Sequence, residues 1–103
     1  MFEVDYVWTS TGSSGGLTPL HVSWSPTQSI LYVQHSTLAS TNTVSIRTAP
    51  ASTGPWAIEV SQQTSTAVVA QHAMRFTGPY KWIQPYLHGP STGTFSFRLI
   101  GHS

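Results

Sequence analysis

"RFTGPYKWIQPYL", Arg75 to Leu87, turns a corner and then lays down a row of rings. Thr77-Gly78-Pro79 is the corner: glycine accepts a positive φ at no steric cost, and proline holds φ at about −65°. Read as a strand, the segment puts Tyr80, Trp82 and Tyr86 on one face, interrupted by Gln84, and Ile83 and Leu87 on the other. Pro85 has no N–H for a ladder, which predicts a strand at an edge or bulged near its end. Thr53-Gly54-Pro55-Trp56 repeats the device upstream. Rings placed this way have three roles open to them: core, ligand platform or subunit interface. Core packing leads, because each ring buries about 150–250 Å² and a small sandwich needs such residues.

The same period of two runs through the chain. Phe2, Val4, Tyr6 and Trp8 alternate with polar Glu3, Asp5 and Thr9. Leu20-Val22-Trp24, Val44-Ile46, Trp56-Ile58-Val60, Val68 to Phe76 and Phe95-Phe97-Leu99 follow, bounded by Gly, Pro and Ser. Ile30 and Tyr32 alternate with Leu31 and Val33, the pattern of a strand covered on both faces. The one helix candidate, Ala67 to Met74, is short and uncapped. These runs predict an all-β protein, an antiparallel β-sandwich of about eight strands, jelly-roll-like. Its expected core holds Val22, Trp24, Val44, Ile46, Ile58, Val60, Phe95, Phe97 and Leu99. Residues 1–16 read as an N-terminal strand or arm with a loop softened by Gly12, Gly15 and Gly16, and residues 17–103 as the sandwich domain.

Charge is scarce: 7% of residues are charged, against about 25% in an average globular protein. The four basic side chains Arg47, Arg75, Lys81 and Arg98 are scattered, so no nucleic-acid groove is expected. No apolar run approaches the ~20 residues of a membrane span. The start, "MFEVDYVWTS", shows no secretory leader, which predicts synthesis in a host cytoplasm. A surface of Ser, Thr and Gln suits a protein packed against other proteins.

Little in the chain points to chemistry. Gly12-Ser13-Ser14-Gly15-Gly16 matches G-x-S-x-G, but a nucleophile elbow needs a strand, turn and helix on an α/β sheet. The histidines His21, His35, His72, His88 and His102 lack metal-ligand spacing, and there is no cysteine. Glu3, Asp5 and Glu59 are the only acids, with no cleft to join them. No enzyme, cofactor or metal is expected.

The C-terminal third, "RFTGPYKWIQPYL" followed by "STGTFSFRLIGHS", resembles the end of small all-β structural proteins of tailed bacteriophages, over roughly Val44 to Gly101. The resemblance implies a virion protein: a capsid-decorating (cement) protein that grips the major capsid protein through multivalent contacts, or a small tail component. It transfers no catalytic residue. A self-associated dimer or trimer is expected, with Phe2, Val4, Tyr6, Trp8, Tyr80, Trp82, Pro85 and Tyr86 as candidate interface residues. The alternative is a carbohydrate-binding module that stacks sugars on exposed rings. Burial of Trp56, Tyr80 and Trp82 discriminates, because rings that are all enclosed leave no platform.

Overall fold

The computed structural model describes all residues except 1–2, 12–14, 24–25, 37–40, 65–69, 90–92 and 103. The described residues contain no helix and nine strand elements. These are β1 (Glu3–Thr11), β2 (Gly15–Gly16), β3 (Leu20–His21), β4 (Gln28–His35), β5 (Asn42–Ala49), β6 (Ala57–Thr64), β7 (Ala70–Thr77), β8 (Trp82–His88) and β9 (Thr94–His102). One sheet runs β1-β9-β4-β7. The second runs β2-β8-β5-β6, with β3 also pairing β8. Every pairing is antiparallel. The chain crosses to the other sheet at every connection except β2–β3 and β5–β6, which is the jelly-roll winding. The expected fold class is therefore the one found. The helix candidate is overturned where it is described: Ala70–Thr77 is a strand, its alternate Met74 and Phe76 pointing into the core.

The core lies between the sheets. Leu31, Val33, Phe95, Phe97 and Leu99 of the first sheet face Val44, Ile46, Ile83 and Leu87 of the second, all at most 1% exposed. Val22 is buried with them and Val60 packs against them. Trp24 lies outside the described residues. Ile58 does not join the core: it is 58% exposed. The cause is a bulge. Ile46 pairs with Val60 but its neighbour Arg47 pairs with Ile58, so Glu59 is the extra residue and the face assignment flips.

The Gly-Pro corner works differently from the expectation. Gly78 does not take a positive φ. Its backbone lies so close to Pro26 that a Cβ would collide with the Pro26 carbonyl oxygen. Tyr80 leaves the face of Trp82 and Tyr86, because the corner breaks the alternation before β8 starts. It is buried, and its hydroxyl meets the Ser29 hydroxyl at 2.9 Å. β8 is not an edge strand. It has β5 on one side and the short β2 and β3 on the other. Pro85 fits because its carbonyl accepts from Leu17 N at 3.0 Å, on the side where β2 and β3 are interrupted. Its N faces that same side, so β5 loses no donor.

Candidate functional site

A sheet face becomes a binding surface when its outward side chains are open and chemically mixed. The outward residues of the first sheet meet that description. In register across it stand Val7, Arg98, Tyr32 and Ala73, one from each strand. The row on one side is Asp5, Ile100, Ile30 and Arg75; on the other it is Thr9, Ser96, Gln34 and Gln71. A depression of about 530 Å³ lies over these strands, with Tyr32, Gln34, Gln71, Ser96, Arg98 and Ile100 among its lining. A second, of about 400 Å³, meets it at Ile100 and extends past Ile30 and Arg75 to His102.

Tyr32 stands in the middle, 46% exposed, and its ring stacks on no other ring among the described residues. The sequence reading had this strand covered on both faces. Leu31 and Val33 are buried, but Tyr32 is open and Ile30 half-buried. Arg98 is fixed beside it by Asp5: Nε donates to Oδ1 at 2.9 Å and the second nitrogen to Oδ2 at 2.7 Å. The hydrogen bonds from Arg98 hold the Asp5 carboxyl below the ordinary carboxylate range, and Asp5 in turn raises Arg98. Both partners are about half exposed, so the pair orients a guanidinium more than it stabilises the fold.

The outer face of the second sheet carries more rings and offers fewer free ones. Trp82 is half-buried with His21 tilted on it, centroids 4.7 Å apart. Tyr86 has His88 on it at 4.5 Å and the Arg47 guanidinium 4.3 Å from its centroid. Arg47 also reaches Trp56 at 5.3 Å and donates to Gln84, whose amide donates to the Leu17 carbonyl. These rings are spent on one another and on cation–π contacts.

The remaining candidate residues are placed as follows. Trp8 is buried at 5% and its indole N–H donates to the Thr18 carbonyl at 2.7 Å. Tyr6 is 40% exposed with its ring edge-on to Trp8, and Val4 packs on the core. Pro85 is buried, and Phe2 lies outside the described residues. Glu3–Thr11 forms the edge strand of the first sheet, paired with β9 along its whole length. Of the three rings that discriminate a platform, Tyr80 is enclosed while Trp56 and Trp82 are only partly buried. Among the described residues no three His, Asp or Glu side chains gather as a metal site.

No protein-family model matches the chain, and no curated protein sequence does. Solved structures match it at identities that show the fold alone. The SPBc2 prophage-derived protein YomS aligns with a TM-score of 0.59 at 8% identity, over 98% of this chain and 96% of its own. The PBSX exported protein XepA gives 0.64 at 7% identity; 97% of this chain spans 37% of it. A family 16 carbohydrate-binding module gives 0.53 at 14% identity, over 85% of this chain and 68% of its own. The fold is thus common to a prophage-derived protein and to a carbohydrate-binding module, and the resemblance to phage proteins holds at the level of the fold.

Proposed function

We propose that the chain is a non-enzymatic accessory protein of a phage-type particle whose outer first-sheet groove binds carbohydrate. Tyr32 carries the reading. A sugar presents a face of C–H groups that packs on a ring, and a rim of hydroxyls that needs donors and acceptors. Tyr32 supplies an open ring. Gln34, Gln71, Ser96 and the oriented Arg98 supply polar groups around it. Catalysis has no support in the acids. Asp5 is committed to Arg98, Glu59 accepts from Thr48 on the other sheet at 2.7 Å, and Glu3 stands on the edge strand. The end-to-end likeness to a prophage-derived protein supports the particle setting, and the likeness to a carbohydrate-binding module supports the ligand. The test is an oligosaccharide array probed with the purified chain and with Tyr32→Ala. Binding should weaken at least tenfold in the variant while its Tm stays within a few degrees. No binding to any glycan would end the reading.

A second reading is capsid decoration, and the same face favours it. Val7 and Tyr32 are exposed beside Ile30 and Ile100, with the Asp5–Arg98 pair at the rim. An apolar centre with a polar rim is also the anatomy of a protein interface. On a particle such contacts gain by multivalency, whether the partner is the major capsid protein, another copy of the chain or both. Co-sedimentation with assembled particles tests it: Val7→Asp should abolish capture if the face docks on the shell.

A further inference from the structure

The groove continues beyond Tyr32, and its two ends differ. Along β9 the outward residues Ser96, Arg98, Ile100 and His102 follow one another at two-residue intervals. At about 3.3 Å per residue that line is ~20 Å long, enough for several linked sugars rather than one. The Ser96 end is neutral, bounded by Gln34 and Gln71. The far end is bounded by Arg75, exposed on the edge strand β7.

Arg75 differs from Arg98 and Arg47. Arg98 has its fork filled by Asp5, and Arg47 is packed against two rings and Gln84. Arg75 has no ion pair among the described residues. Its register row runs through Ile30 and Ile100 before an acid is reached at Asp5, which is three strands or ~14 Å away. Glu59 is on the second sheet, and Glu3 is also three strands off. Among the described residues, no acidic side chain is placed to fill this guanidinium.

Resting on the carbohydrate reading, we propose that the Arg75 end of the groove takes a carboxylated sugar, so that the ligand is an acidic oligosaccharide such as a uronate-containing chain. A planar guanidinium receives a carboxylate through two parallel N–H···O bonds, which a neutral hydroxymethyl group at the same position does not offer. Tyr32 then stacks a neighbouring sugar, and the neutral Gln34–Gln71 end holds the part of the chain without charge.

The experiment uses the full chain on an array of matched pairs, each acidic oligosaccharide beside its carboxyl-reduced neutral form, with dextran sulfate as a separate polyanion. Wild type should prefer the carboxylated members at least tenfold, and added salt should narrow the gap. Arg75→Gln should erase the preference, and Arg75→Lys should restore part of it. Tyr32→Ala should lower binding to both forms. Equal binding to both members of each pair, or a preference that survives Arg75→Gln, overturns the acidic assignment and leaves the carbohydrate reading standing. Capture of dextran sulfate as tight as that of the carboxylated chains, and unaffected by Arg75→Gln, also overturns it. Absence of binding to every member removes both.

Discussion

Tyr32 and Arg98 stand directly opposite each other across β4 and β9, and Arg98 is held from its far side by Asp5 on β1. Three strands thus cooperate to present one open ring beside one oriented guanidinium. Asp5→Asn removes the charge that orients Arg98. Because the pair is exposed, we expect Tm to be almost unchanged while binding on this face weakens several-fold. Thermal melts and binding isotherms on the same variant separate the two. The hydrogen bonds that depress the Asp5 pKa give the pair a pH dependence. Its contribution is present above the ordinary carboxylate range and fades as pH falls below it.

The bulge at Glu59 makes a contrast within one hairpin. Ile46 is fully buried and Ile58 is 58% exposed, although both sit in apolar alternation in the sequence. Ile46→Ala should cost about 2–5 kcal/mol. Ile58→Ser should change stability by about 0.5 kcal/mol or less. Denaturant unfolding of both variants checks the pair.

Gly78 is required by proximity. Gly78→Ala pushes a methyl group into the Pro26 carbonyl, and we expect a loss of about 1–3 kcal/mol, the usual cost of overpacking. Gly15 has a positive φ but open space around it, so its replacement by Ala should strain only the backbone. Comparing the two variants in one chemical-denaturation series distinguishes crowding from backbone strain.

His35 and His72 stack with centroids 5.6 Å apart, and the Nε2 of each is buried without a hydrogen-bond partner among the described residues. Burial, then the neighbouring His35, push the His72 pKa below its ordinary value. The unfolded chain therefore takes up a proton below about pH 6.5 that the folded chain resists, and stability falls as pH drops from there. Tm should fall between pH 7 and pH 5, and should fall less in His72→Gln.

The strands were legible because period-two alternation survives wherever a strand has one buried face, as in Phe95-Phe97-Leu99 and Val44-Ile46. Three local events hid the rest. A single extra residue at Glu59 inverted Ile58, the corner at Gly78-Pro79 turned Tyr80 inward, and short partners on both sides of the Pro85 gap disguised an inner strand as an edge. The groove was illegible for a different reason. In Ile30-Leu31-Tyr32-Val33 both faces are apolar, and composition does not say that one of them is a surface left open. Rings are countable in a sequence. Which of them are already stacked on His21, Arg47 or His88 is decided by pairing between distant strands.

We place the working surface on the outer face of the first sheet, not on the ring-rich face of the second. Tyr32→Ala and Tyr86→Ala, measured side by side against the same array-selected oligosaccharide by titration calorimetry, test it most directly. We predict that Tyr32→Ala loses at least tenfold in affinity and that Tyr86→Ala binds like wild type. Loss in Tyr86→Ala with full binding in Tyr32→Ala would contradict the account.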